Sequence, residues 1–306
     1  KVSGTYRDGY RVGSYLTIRG IDAAGKARKT ADSVLARVSA MLKRRGAPDF
    51  TETSVEILGA EAGYGPHSRF KSPGEGEAPA GPNRVKPLRE VLLKLAAKHV
   101  SADALGLLLR ELTSSGTSMS PGTSGMGGSR AKPSPVVRLF SLTVGKDSVV
   151  PTVSMGGETW TSPFVGGGPF NPATIRRPVI TELRKTDGPF AEVPLVAIAH
   201  GRSGDKGNDS NIGIIAREPG LWPLIRRELT AERVREYFSY LMDGGVDRYD
   251  LPGIHAVNFI LHESLGGGGI ASLRNDPQGK AYAQILLDMR IQVPESIAKG
   301  LASAHA

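Results

Sequence analysis

Val193-Pro194-Leu195-Val196-Ala197-Ile198-Ala199 runs without a charge into His200-Gly201-Arg202-Ser203-Gly204-Asp205-Lys206-Gly207-Asn208-Asp209-Ser210-Asn211, and Ile212-Gly213-Ile214-Ile215-Ala216 follows at once. Two short apolar runs around a polar, glycine-punctuated segment predict two buried strands gripping a loop. Downstream, Leu221 to Leu229 and Thr230 to Met242 read as helices. In the second, Thr230 is the N-cap and Val234, Tyr237, Phe238 and Leu241 face inward. His255 to Leu261 alternates like a strand, Gly266 to Gly269 is a four-glycine turn, Pro277 to Leu286 starts as a helix on proline, and Leu287 to Val293 closes as a strand. Helices separated by strand pairs predict an α+β sandwich of the split βαβ, ferredoxin-like kind over residues 193–295, with a tail at 296–306.

Working back from that domain, residues 159–192 are rich in Gly and Pro and read as a linker, with the boundary near Asp187. Residues 1–158 predict an α/β region. Val12 to Arg19 is a strand; Asp22 caps a helix reaching Arg45 with Ala23, Ala27, Ala31, Val34, Val38 and Leu42 on one face; and Ser54 to Leu58 completes a βαβ unit with a parallel crossover. Gly63 to Asn83 reads as a mobile loop. Leu88 to His99 and Ala102 to Leu112 read as helices, the second capped by Ser101. Ser114 to Ser134 is of low complexity and predicts a loop, with a Ser/Gly anion cradle as its functional alternative. Pro135 to Val144 is a strand for Val149 to Val153 to pair with.

With 306 residues and 39% hydrophobic content, the chain can bury cores of ordinary size in two domains. No apolar run reaches the roughly 18 to 20 residues a membrane helix needs, and the opening Lys1-Val2-Ser3-Gly4-Thr5-Tyr6 is not a signal peptide. Zero cysteines exclude disulfides, thiolate metal sites and cysteine nucleophiles. The chain is expected to be cytoplasmic, without a membrane partner. The formal charge of +9 is spread along the chain and aromatics are only 6%, which speaks against nucleic-acid binding and suits anionic small molecules.

The 200–211 segment concentrates the chemistry. Gly201, Gly204 and Gly207 recur every third residue, where backbone bends or comes close to a ligand. Among them Arg202 offers a bidentate fork and Lys206 a point charge for phosphate or carboxylate, with Ser203, Gly204, Gly207, Asn208 and Asn211 completing an anion cradle. His200 and Asp205 are the candidates for proton transfer. His262, Gly267 and Gly268 would contribute from the far side if the four-glycine turn folds back. The segment matches neither the Walker nor the dinucleotide fingerprint. A plain salt-bridged turn, Asp205 with Arg202 or Lys206, accounts for the composition equally well. His200 with Asp205 and Asp209 is the only local cluster that could begin a metal site, and no metal is expected. The other histidines read as structural: His99 at an element end, His67 in a loop, His255 beside a strand and His305 in the tail.

The run from Ala199 to Arg217, with Leu229-Thr230-Ala231-Glu232-Arg233-Val234, Tyr249-Asp250-Leu251-Pro252, Asn258-Phe259, Leu265 to Gly269 and Gln278-Gly279-Lys280, resembles the C-terminal domain of the acyclic terpene utilisation AtuA family over about 193–294. Gly20-Ile21-Asp22-Ala23 with Lys26-Ala27, and Met119-Ser120-Pro121-Gly122, resemble the later part of that family's N-terminal domain. The resemblance implies that further N-terminal sequence belongs to the family's architecture. It also implies that the setting is breakdown of acyclic terpenoids carried as CoA thioesters.

The leading expectation is an enzyme or enzyme subunit acting on branched acyl-CoA intermediates, as a hydratase or lyase. CoA enters as part of the substrate, no other cofactor is indicated, and the chain works as a homo-oligomer or with a partner subunit. The alternative is a non-catalytic assembly module of a catabolic complex; a metal-dependent hydrolase ranks below both.

Overall fold

The structure, a computed structural model, describes residues 1–70, 88–125, 131–163, 165–176 and 188–304. Strand β1 (Val2–Arg19) leads through helix α1 (Ala23–Arg44) to β2 (Glu52–Leu58), then β3 (Glu90–His99), α2 (Ala102–Ser118), β4 (Thr123–Gly125) and β5 (Ser134–Leu142). Asp22 caps α1 as expected, its carboxylate accepting from Gly25 N. The buried face of α1, from Ala23 through Ala31 and Val34 to Leu42, packs with α2 on β3.

The sheet order is β2-β3-β1-β4, with β5 on the same edge of β1 as β4. β3 is antiparallel to both β1 and β2. β1 and β2 are therefore parallel, as the βαβ reading expects, with β3 inserted between them. The helix expected over Leu88 to His99 is strand β3. Its Leu and Ala content favours helix, but the residues that join the helix-packed core recur with a period of two, Val91, Leu93, Leu95 and Ala97, while Leu93 to His99 is buried on both faces. On the other face Lys94 and Lys98 stand opposite Glu56 and Glu52 of β2. Of the segment expected as a low-complexity loop, residues 114–118 extend α2 and 123–125 form β4. The 63–83 loop is described only as far as residue 70, and the boundary expected near Asp187 lies outside the described residues.

Two short strands, β6 (Thr152–Met155) and β7 (Glu158–Thr161), pair with each other, so the expected pairing of 149–153 with 135–144 does not form. The second domain then runs β8 (Phe190–Pro194), β9 (Ala199–Lys206), β10 (Asp209–Ala216), α3 (Trp222–Glu228), α4 (Ala231–Tyr237), β11 (Val246–Leu251), β12 (Ala256–Leu261), α5 (Tyr282–Leu287), β13 (Arg290–Pro294) and α6 (Glu295–Ala304). The antiparallel sheet β11-β12-β10-β9 buries Ile212, Ile214, Val257, Phe259 and Leu261 against the helices, and β8 pairs with β13 apart from it. Helix α4 stops at Tyr237, short of the expected Met242, and α5 starts at Tyr282 rather than at Pro277.

The domains interlock through backbone. Lys94 Nζ donates to Leu273 O at 2.6 Å, Glu56 accepts from Asn275 N at 2.8 Å, and Tyr240 OH donates to Gly63 O at 2.9 Å. No helix among the described residues is long and apolar enough to cross a membrane.

Candidate functional site

Most of the segment expected as a loop is strand. β9 continues to Lys206 and β10 resumes at Asp209, leaving Gly207-Asn208 as a two-residue turn with Gly207 at φ 74°. Gly204 has no positive φ; the turn geometry rests on Gly207 alone. Because strand side chains alternate, Ser203 points inward and Arg202, Gly204 and Lys206 point outward. Buried Ser203 Oγ donates to Gly279 O at 2.6 Å and accepts from Ala283 N at 2.9 Å, tying β9 to the start of α5.

The four-glycine segment does fold back onto the turn. Gly267 N donates to Asn208 Oδ1 at 2.7 Å, while Ser264 N and Leu265 N both donate to Asn208 O at 3.1 Å. Gly268, at φ 81°, leaves no room for a side chain: a Cβ would lie 2.6 Å from Gly207 O. His262 sits between two carboxylates, with Nδ1 3.1 Å from Asp209 and Nε2 3.0 Å from Asp247. Hydrogen bonds to Asp247 and then Asp209 raise its pKa above the ordinary histidine value, favouring the imidazolium. This ring clamps the tip of the hairpin through both of its nitrogens.

His200 and Asp205 are not brought together. Five residue steps of extended strand separate them, about 17 Å at 3.3 Å per residue, and His200 Nε2 meets Arg217 Nη1 at 3.3 Å instead. Among the described residues no group of three or more histidines and carboxylates is placed to hold a metal ion, so His200, Asp205 and Asp209 do not assemble as ligands. The expected pairing of Asp205 with Arg202 or Lys206 is also absent; the salt-bridge partner of Asp205 is Lys280, at 3.9 Å. On the outer face Lys206 Nζ donates to Asn211 Oδ1 at 3.3 Å, and Asn211 Nδ2 to Asn258 Oδ1 at 3.2 Å.

A second site arises where the domains meet. A cleft of about 590 Å³ is lined by Tyr64 and His67 of the first domain and by Arg233, Glu236, Tyr237, Asp288, Met289 and Arg290 of the second. That volume falls within the usual range for small-molecule sites, which favour domain junctions. Gly65, at φ 50°, shapes the Ala62–His67 turn: a Cβ there would meet the Tyr240 ring at 2.3 Å. The turn presents His67 to Tyr237, ring stacked on ring at 3.9 Å, and His67 Nε2 lies 2.8 Å from Tyr237 O.

Burial pushes the Tyr237 phenol up to about 12, with the negative charge of Asp288 adding to it. Burial and then Asp288 raise Tyr64 as well. Both phenols are therefore neutral donors at ordinary pH. Arg233 is committed to Glu228, through Oε2 at 2.6 Å and O at 2.9 Å. Burial opposes the charge on Glu228, but hydrogen bonds from Gln292 N, Arg233 and Arg227 outweigh it and hold that pKa low. Sequence reasoning missed this cleft and took His67 as a loop residue; the glycines and proline of Gly63-Tyr64-Gly65-Pro66-His67 were the only local sign of a fixed turn.

Residues 1–155 match the family model described as acyclic terpene utilisation family protein AtuA. The chain belongs to that family. Residues 193–292 match the AtuA ferredoxin-like domain, so the AtuA-family chain joins an α/β region to a ferredoxin-like α+β domain at its C-terminal side. No curated protein and no solved structure matches it.

Proposed function

We propose that this AtuA-family chain is an enzyme subunit acting on branched acyl-CoA intermediates of acyclic terpenoid breakdown, of the hydratase or lyase type, with its chemistry in the junction cleft. One observation carries the reading. The cleft sets Tyr64 and His67 of one domain against Glu236, Asp288 and Arg290 of the other, a set holding a base, neutral proton donors and a cation.

In a hydration, Asp288 takes a proton from water as the oxygen bonds to the β-carbon of the unsaturated thioester. The Tyr64 hydroxyl donates a hydrogen bond to the thioester oxygen as charge builds on it, and the carboxylic acid formed from Asp288 returns its proton to the α-carbon. The guanidinium of Arg290 attracts the anionic portion of the substrate.

Calorimetric titration with geranyl-CoA, followed by Asp288→Asn and Tyr64→Phe, tests this. Saturable binding is expected, weakened by about tenfold or less in the variants, while hydration of the double bond, read by loss of enoyl-thioester absorbance, is expected to vanish in Asp288→Asn. Absence of saturable binding, or turnover unchanged in Asp288→Asn, overturns the reading. A second reading, a non-catalytic assembly module, is favoured by the exposed Ile215, Tyr249 and Leu251 on the outer face of the sheet β11-β12-β10-β9. Light scattering of the chain alone and with co-expressed proteins of its pathway tests it.

A further inference from the structure

We infer that the outer face of the β9-β10 hairpin carries an anion subsite for a diphosphate, built by Arg202, Lys206 and Lys280 around Gly204. The inference is independent of the junction cleft, none of whose lining residues lies on this face.

Lys280, from the segment before α5, reaches around the edge of the sheet until its Nζ stands 3.3 Å from where a Gly204 Cβ would be. Asn211, the register partner of Gly204, has its Oδ1 3.9 Å from the same point and accepts from Lys206 Nζ at 3.3 Å. One ammonium group thus stands over Gly204, and the second, Lys206, is joined to the same Asn211 Oδ1 and also donates to Asp205 O at 3.1 Å. The only salt bridge either makes within the hairpin is Lys280 with Asp205, at the long distance of 3.9 Å.

Two residues along β9, Arg202 also projects outward, about 6.6 Å away at 3.3 Å per residue, and its register partner is Gly213. Its guanidinium forms no hydrogen bond or ion pair with the described residues. The floor between the cations is therefore two glycines without side chains. Like charges gathered on one face repel, and a compact dianion between them turns repulsion into attraction. Two point charges on one phosphoryl group and a planar fork on the next fit a diphosphate better than a lone carboxylate.

Such a group is available either as inorganic diphosphate or within CoA, and the titration has an arm for each. Calorimetry at low ionic strength uses sodium diphosphate and free CoA as probes, on the wild-type chain, the double variant Lys206→Ala/Lys280→Ala, Gly204→Asp, and Lys43→Ala/Arg44→Ala as a surface-charge control. The wild type is expected to bind diphosphate at one site. The double variant should lose at least about tenfold. Gly204→Asp, which places a carboxylate among the cations, should abolish binding at an unchanged melting temperature. The control should bind as the wild type does.

CoA binding more tightly than diphosphate identifies a nucleotide-borne group; equal affinity identifies the diphosphate alone, and either outcome supports the subsite. The inference is overturned if no saturable diphosphate binding occurs, if the double variant binds like the wild type, or if the control loses as much.

Discussion

Two pairs of lysines stand on sheet faces in this molecule, and their surroundings are opposite. Lys94 and Lys98 on β3 are buried, and each faces a glutamate across the strand, Glu56 at 2.7 Å and Glu52 at 2.5 Å. Lys206 and Lys280 lie on the second domain's outer face, Lys280 beside Gly204 and Lys206 on Asn211, with one distant carboxylate. Removing a cation from water is tolerated only when a partner replaces the lost solvation, so the first pair has its counter-ions built in. The second pair remains hydrated and keeps its charge for a ligand.

The comparison predicts a large asymmetry in stability. Lys94→Ala leaves Glu56 without its cation and Leu273 O without its donor at the domain junction. It should lower the unfolding free energy by about 3 kcal/mol, whereas Lys206→Ala should change it by less than about 0.5 kcal/mol. Urea unfolding of both variants measures this. Similar losses would mean that Lys206 is structural and would break the contrast.

A middle-sized effect separates the two faces of one strand. Ser203, adjacent to the outward Gly204, is a buried anchor, and Ser203→Ala strands the N–H of Ala283 and the carbonyl of Gly279. A cost of about 2 kcal/mol is expected, with diphosphate affinity unchanged at temperatures where the variant is folded. Loss of affinity without loss of stability would move the ligand to the inner face.

Legibility in the sequence followed the range of the interactions. Helix α1 could be read because its cap, Asp22, and its apolar spacing are local. β3 could not, because Leu, Ala and Lys favour helix and its strand identity depends on Glu52 and Glu56, 46 and 38 residues away. The clue was the matching four-residue spacing of the two glutamates and the two lysines. In the hairpin the glycines suggested a loop, yet Gly201 lies in a strand because Ile214 and Ala283 fill the space a side chain would take. Arg202 and Lys206 were legible as exposed cations; Lys280 joins them only through the path of the chain before α5. The cleft draws on residues from Tyr64 to Arg290, which only the packed domains bring together.

The smallest effect concerns the clamp at the tip of the hairpin. His262 has its pKa raised by Asp247 and Asp209, so the folded state holds its proton more tightly than the unfolded chain does. A raised histidine contributes stability in full below the unfolded value of 6.5 and loses it as pH climbs through the folded value. The ring is more than a third exposed, and solvent screening limits the contribution to about 0.5 kcal/mol. His262→Gln should therefore melt below the wild type at acidic pH, and the gap should narrow as pH rises above 6.5. Melting curves of both proteins across that range decide the matter. A gap that is constant with pH would assign the clamp to neutral hydrogen bonding, and a gap that widens upward would require the imidazole to be held neutral.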